Sequence, residues 1–181
     1  MRVVSGTARG LVLKALEGEA TRPTTDKVKE SMFNIIQFDI EGSRVLDLFS
    51  GSGQLAIEAI SRGAESALAA DSSRFAVDII KQNIKRCGFE DKIKVHRGDF
   101  SEVLTKNTKY DVIFLDPPYE GELLNKALDI IYSFDILSNN GIIVCESDAS
   151  SEVKKIDDVS FSYREYKYGR IKLTVIRRCE A

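Results

Sequence analysis

The chain has 181 residues, 43% of them hydrophobic and only three of them proline, and its 26 Lys/Arg and 28 Asp/Glu leave a net charge of −2. That composition fits one globular α/β domain with a well-buried core and excludes a disordered chain. No apolar run approaches the roughly 20 residues that span a bilayer, and Met1-Arg2-Val3-Val4-Ser5-Gly6 lacks the apolar stretch of a signal peptide, so a cytoplasmic protein with no membrane partner is expected.

In chain order, residues 2–16 read as an extended or hairpin segment that turns near Ala8-Arg9-Gly10. A helix follows, with Thr24 or Thr25 as its N-cap, Asp26 and Glu30 in the first turns where the helix dipole favours acids, and Val28, Met32, Ile35 and Ile36 on one apolar face. Residues 1–40 are expected to be a small β/α extension packed on a catalytic core of residues 41–181, the two forming a single domain. From there, runs of strand character (44–49, 66–70, 93–96, 110–115 and 141–146) alternate with helical patterns at 55–62, 74–87 and 123–134. Phe75, Ile79, Ile80 and Ile84 illustrate the three-to-four spacing. Such alternation predicts a parallel sheet wrapped by helices. The rhythm breaks at the end, where 161–168 and 171–177 flank Gly169-Arg170 with no helix between them. The expected architecture is therefore a mostly parallel seven-stranded sheet closed by a C-terminal antiparallel hairpin.

Charge is uneven along the chain. Residues 1–29 hold six Lys/Arg against three acids, residues 163–178 hold six against one, and the body between them is acidic. An acidic body with two basic flanks suits a polyanion gripped at an edge and a cationic cofactor in the middle; scattered solvated charge is the plainer alternative. Cys87, Cys145 and Cys179 are far apart, form no CxxC pair and have only His96 to complete a metal site, so reduced thiols and no metal are expected. His96 lies mid-strand and reads as a packed or surface histidine, and Cys145 as a buried one.

Two motifs carry chemistry. The first, Asp47-Leu48-Phe49-Ser50-Gly51-Ser52-Gly53, runs from a strand into a glycine turn and then a helix, the arrangement that lets backbone approach a ligand closely. Gly51-x-Gly53-x-x-Ala56, with Asp71 18 residues after Gly53, also satisfies the dinucleotide fingerprint, so the turn alone leaves the cofactor open. Asp47 tips the balance, because a carboxylate beside the turn would repel a pyrophosphate but attract the ammonium and sulfonium of S-adenosylmethionine. Asp71 can accept from both ribose hydroxyls. In Gly98-Asp99-Phe100, Asp99 can accept from the adenine amine while Phe100 lies against the ring; a mere turn aspartate is the alternative for Asp99.

The second motif is Asp116-Pro117-Pro118-Tyr119, directly after the apolar strand ending at Leu115. Two prolines stiffen the backbone past a strand end. An amine on an aromatic ring is a poor nucleophile, since its lone pair is delocalised into the ring. A carboxylate (Asp116) and a carbonyl (Pro117) that both accept from the NH₂ favour a pyramidal nitrogen whose lone pair can face a methyl donor. Tyr119 offers a flat face on which a flipped base can stack. A proline-stiffened turn with a surface tyrosine is the structural alternative.

Together these motifs resemble those of the class I methyltransferases that act on exocyclic amines of nucleobases. The start narrows this: Arg2-Val3-Val4-Ser5-Gly6 with Arg9-Gly10, then Thr21-Arg22-Pro23-Thr24-Thr25-Asp26-Lys27-Val28-Lys29-Glu30-Ser31-Met32-Phe33-Asn34, and later Glu58-Ala59-Ile60-Ser61-Arg62-Gly63-Ala64, resemble the RsmD family of guanine-N2 methyltransferases of small-subunit ribosomal RNA. The resemblance covers nearly the whole chain. It implies a Rossmann-like class I methyltransferase fold with S-adenosylmethionine held by Asp47, Phe49, Gly51, Ser52, Gly53, Asp71, Asp99 and Phe100. It implies one methyl transfer to N2 of a guanine in 16S ribosomal RNA, on a partly assembled small subunit, without a metal. Ala56 stands where the family usually has a third glycine and Asp71 where glutamate is common, both mild departures. Arg9, Lys14, Arg22, Arg164, Lys167, Arg170 and Lys172 are the candidates for phosphate contacts. An adenine or cytosine amine in DNA or RNA remains an alternative target, and an NAD-binding protein a further one that leaves Asp116-Pro117-Pro118-Tyr119 without a use.

Overall fold

The computed structural model of the chain describes residues 1–16, 26–105, 108–118, 122–156 and 158–179. Among these residues twelve elements follow in order: α1 (Asp26–Ile35), β1 (Arg44–Asp47), α2 (Gln54–Ser61), β2 (Ser66–Asp71), α3 (Arg74–Cys87), β3 (Ile93–Arg97), α4 (Phe100–Val103), β4 (Tyr110–Leu115), α5 (Leu123–Ser133), β5 (Leu137–Asp148), β6 (Phe161–Tyr168) and β7 (Ile171–Arg178). The seven strands form one sheet in the order β3-β2-β1-β4-β5-β7-β6. β1 to β5 run parallel, and β7 pairs antiparallel with both β5 and β6.

Strand alternation sends successive side chains to opposite faces, and both faces are covered. Val45, Phe114 and Val144 point to the face packed by α1, α2 and α3, where Phe33, Ile57 and Ile80 bury fully. Leu46, Ile113 and Ile143 point to the other face, under Ala127, Leu128 and Ile131 of α5. Sheets buried on both sides read as continuous apolar runs, as in Val112-Ile113-Phe114-Leu115, all 0% exposed.

The helical and strand expectations hold in kind, with displaced boundaries. β1 ends at Asp47 rather than Phe49, although Leu48 N still donates to Phe114 O at 3.2 Å. β5 begins at Leu137, ahead of Gly141, and absorbs an irregularity against β4 between Tyr110 and Val112 with Asn140 at φ 59. α4 is a helix that the apolar pattern did not announce; Asp99 caps its N-terminus and Val103 packs into the core. The expected caps Thr24 and Thr25 lie outside the described residues. The hairpin forms around Gly169 at φ 62, and its second strand, not its first, enters the sheet interior. The reason is burial: Lys172 to Ile176 of β7 are all buried, whereas β6 alternates between exposed and half-buried and suits an edge.

Residues 1–16 fold back on themselves through the Arg2–Val12 bridge and hydrogen bonds Val3 N to Leu11 O (2.9 Å) and Leu13 N to Met1 O (3.1 Å). This segment docks on α2 through polar groups. Glu58, fully buried, accepts from Val4 N (2.8 Å) and Ser5 N (2.9 Å), and Ser61 Oγ accepts from Ala8 N (2.9 Å). Gly6 fits there at φ +83 because a Cβ would lie 1.7 Å from Ser61 O. Lys29, 0% exposed on α1, sits 3.5 Å from Glu58 and donates to Arg2 O at 2.6 Å.

Candidate active site

Because β1, β2 and β4 are neighbours running the same way, the residues that follow them converge on one edge of the sheet. Asp47 closes β1, Asp71 closes β2, and Asp116 follows β4 directly. Asp47 pairs in register with Phe114, so Asp116 leaves the neighbouring strand two residues beyond it. Crevices at the carboxyl ends of parallel strands are where open α/β sheets hold ligands.

The glycine turn is fixed from several sides. Gly51 and Gly53 take φ of 55° and 81°, a region that favours glycine. Asp71 Oδ2 accepts from Gly51 N and its Oδ1 from Ser73 N, both at 2.9 Å, which leaves each oxygen a further lone pair for a hydroxyl. Gly53 N donates to Ser50 O at 2.8 Å, and Gly53 has Ile80 behind it at 3.2 Å from where a Cβ would lie.

Asp47 is 1% exposed. Its Oδ2 accepts from Ser50 Oγ (2.7 Å) and Ala56 N (3.2 Å), so half of this carboxylate braces the turn. Its Oδ1 is buried with no hydrogen-bond partner. Burial, opposed by the Ser50 and Ala56 hydrogen bonds, pushes its pKa up to about 6. An orphaned buried carboxylate oxygen beside a positive-φ glycine turn fits a ligand that brings a cation.

Asp99 is first of all a helix cap: its Oδ1 accepts from Ser101 N (2.9 Å) and Ser101 Oγ (2.6 Å), and these bonds hold its carboxyl below the usual range. Phe100 follows it and faces Phe49 with ring centroids 5.6 Å apart and planes tilted by 47°. The two half-buried rings thus border the same edge as Asp71.

Asp116 is half-buried, Pro117 buried and Pro118 exposed. Leu115 pairs with Cys145 on β5, so the next residue of that strand, Glu146, emerges beside Asp116 and is 1% exposed. Sequence reading passed over Glu146 as the end of an apolar strand. It also passed over Ser50, whose hydroxyl meets Asp47, and Asn83 of α3, which touches the turn at Ser52. No periodicity marks such residues, since a polar side chain on a helix or turn reads as solvent-facing. Tyr119 and Arg22 lie outside the described residues.

The proposed phosphate contacts divide. Arg9, Lys14, Arg164, Lys167 and Arg170 are exposed. Lys172 is not, and the expectation for it is corrected: it is 5% exposed on the buried strand β7, its Nζ donates to Ser151 O at 2.5 Å, and Glu165 lies 4.0 Å away. The remaining five do not share one face. Arg170 sits in the hairpin turn beside the end of β5, Ala149 N donating to its carbonyl at 2.9 Å. Arg9 sits in a turn anchored at Ser61, the last residue of α2, about 12 Å of helix from the glycine turn. Among the described residues, no group of His, Cys, Asp and Glu is placed to hold a metal ion, and no helix is long and apolar enough to cross a membrane.

A parallel sheet with one antiparallel strand in this order, a glycine turn after its first strand, an acid ending its second and Asp-Pro-Pro after its fourth defines a class I S-adenosylmethionine-dependent methyltransferase. The family described as conserved hypothetical protein 95 matches residues 1–177. A Bacillus subtilis protein described as a candidate rRNA methyltransferase, YlbH, is 39% identical over 182 residues, covering 98% of this chain and 99% of that protein. Ribosomal RNA small subunit methyltransferase D of Haemophilus influenzae is 32% identical over 152 residues, covering 82% of this chain and 79% of its own length. The solved structure of the candidate methyltransferase yhhF from Escherichia coli superposes with a TM-score of 0.88 at 27% identity, covering 100% of this chain and 99% of that one. The chain belongs to the RsmD family of S-adenosylmethionine-dependent methyltransferases.

Proposed function

We propose that the protein transfers one methyl group from S-adenosylmethionine to the exocyclic N2 amine of a guanine in 16S ribosomal RNA, on a partly assembled small subunit. The observation that carries this reading is the placement of Asp116-Pro117-Pro118 directly after β4, on the strand next to the one that ends in the buried Asp47. The name of the Haemophilus influenzae relative supports ribosomal RNA of the small subunit as the target.

In this reading Asp47 and the Gly51–Gly53 turn hold the methionine end of the cofactor, Asp71 the ribose, and Asp99 with Phe49 and Phe100 the adenine. When bound, S-adenosylmethionine supplies a sulfonium methyl group that passes to N2, whose surplus proton then leaves to solvent. Asp116 and the Pro117 carbonyl accept from the two N–H bonds of the amine and so turn its lone pair out of the ring plane. Tyr119 stacks on the flipped base. No thiol, histidine or metal is required.

Incubation with isotopically labelled cofactor and undermethylated small subunits, followed by mass spectrometry of nuclease fragments, tests the reading. Label on N2 of a 16S guanine is expected; label on an adenine or cytosine amine would move the target while keeping the chemistry.

Asp47 gives a pH signature. A bound cation favours its ionised form, so binding releases a proton wherever free Asp47 is protonated. With a free-state pKa of about 6, affinity is expected to be flat above that pH and to weaken as pH falls below it, by up to about tenfold per unit. Calorimetry with S-adenosylhomocysteine from pH 7.5 to pH 5 measures this, and Asp47→Asn should flatten the profile.

Charge reversal at Arg170, on the catalytic edge, should raise KM for small subunits and reduce the dependence of KM on salt, with cofactor affinity unchanged. Reversal at Arg9, a helix length away, should act in the same direction and more weakly. Unchanged KM and salt slope in both variants would return these residues to ordinary solvated charge.

A further inference from the structure

The cofactor turn is tied through α3 to the N-terminal segment of the chain. Asn83, in the third turn of α3, is 0% exposed. A buried amide is costly unless its donors and acceptor are used, and here they join two segments distant in sequence. Asn83 Oδ1 accepts from Lys14 N at 2.8 Å, and Nδ2 donates to Lys14 O at 3.0 Å and to Ser52 O at 2.8 Å. Ser52 is the middle residue of the turn, and its Oγ donates to Met1 Sδ at 3.3 Å. The three turn residues are therefore held by different elements: Gly51 by Asp71 of β2, Ser52 by Asn83 of α3, and Gly53 by Ser50 within the turn.

We infer that Asn83 is a positioning residue of the cofactor turn, which makes cofactor affinity depend on the docking of residues 1–16. The inference rests on the cofactor reading of that turn. With residue 14 in place, both amide hydrogens of Asn83 are directed by fixed carbonyls and the Ser52 peptide is held in one orientation. If the segment lifts, Asn83 loses two of its three partners, and the turn gains freedom that cofactor binding must then remove. The far anchor of the same segment is Ser61, whose Oγ accepts from Ala8 N at 2.9 Å and donates to Ser5 O at 2.6 Å, at the opposite end of α2 from the turn. The coupling is reciprocal, as any linkage between two equilibria must be: cofactor in the turn favours the docked segment. Basic Arg9 and Lys14 lie on that segment, so a polyanion that grips it bears on cofactor affinity without touching the cofactor.

The test is a double-mutant cycle read by calorimetry with S-adenosylhomocysteine on the full chain. Asn83→Ala is expected to weaken binding about tenfold, the scale of one to two net hydrogen bonds. Ser61→Ala, remote from the turn, is expected to weaken it about threefold in the native background and not at all in the Asn83→Ala background, because the link is already cut. With saturating small subunits, KM for S-adenosylmethionine should rise in both single variants while kcat holds. If Asn83→Ala does not fold, the isosteric Asn83→Asp takes its place; it sets a carboxylate against the Lys14 and Ser52 carbonyls and should weaken binding likewise. An unchanged Kd in the Asn83 variant, or an equal effect of Ser61→Ala in both backgrounds, overturns the inference and leaves Asn83 as a core hydrogen-bonding residue. Failure of the unaltered protein to bind S-adenosylhomocysteine would instead overturn the cofactor reading, and the inference with it.

Discussion

Asp116→Ala is expected to lower kcat by about 10²- to 10³-fold, the range found when one preorganised electrostatic partner of the transition state is removed. The amine of a guanine shares its lone pair with the ring, and both of its hydrogens lie in the ring plane. A carboxylate fixed at the end of β4, with two prolines behind it to limit backbone motion, favours the pyramidal geometry that methyl transfer requires. That interaction strengthens as the nitrogen gains positive charge, so its loss falls on kcat and kcat/KM together and leaves cofactor affinity nearly unchanged. Asp116→Asn should be milder, since an amide oxygen still accepts one hydrogen bond. Single-turnover kinetics on small subunits, with S-adenosylhomocysteine affinity measured alongside, separate the two effects. Near-normal turnover in Asp116→Ala would place the chemistry elsewhere.

Glu58→Ala is expected to destabilise the fold by about 3–5 kcal/mol, the scale for removing one partner of a buried ion pair. Glu58 and Lys29 are both 0% exposed and 3.5 Å apart. Burial pulls the Lys29 pKa down while Glu58 and Asp26 hold it up, so without Glu58 the ammonium stands in the core with far less compensation. Val4 N and Ser5 N lose their acceptor, and Arg62 Nε loses a partner at 2.8 Å. For a chain of this length the midpoint of thermal unfolding should fall by on the order of 10 °C. Residues 1–16 should also become sensitive to limited proteolysis before the rest. Replacing the pair together, Glu58→Leu with Lys29→Met, should cost less than Glu58→Ala alone, because no charge is then left buried. Denaturant unfolding of the three variants measures the difference.

Much of this molecule was legible in its residues. The strands were legible because a strand buried on both faces has to be apolar throughout, as Val112 to Leu115 are. The hairpin was legible because Phe161 to Tyr168 and Ile171 to Arg177 leave no room for a crossover helix around Gly169. That Asp47, Gly51, Gly53, Asp71 and Asp116 gather at one edge of the sheet was legible because backbone conformation and strand direction are local properties, and parallel strands carry their ends to one edge. Other features were decided only when distant segments met. Lys172 reads as one more basic residue of an exposed hairpin, and becomes buried because β7, not β6, inserts beside β5. Lys29 and Glu58 lie on different helices and look like solvated helix charges until residues 1–5 close over them. Asn83 looks like a polar residue on a helix surface until Lys14 and Ser52 arrive on either side of it. The sequence by itself determined the periodicities, the turns and the chemical groups at each strand end, since these depend on neighbours along the chain. Tertiary structure alone decided which polar groups are buried and paired, because the free energy of a buried charge or amide depends on partners that come from 27 to 69 residues away.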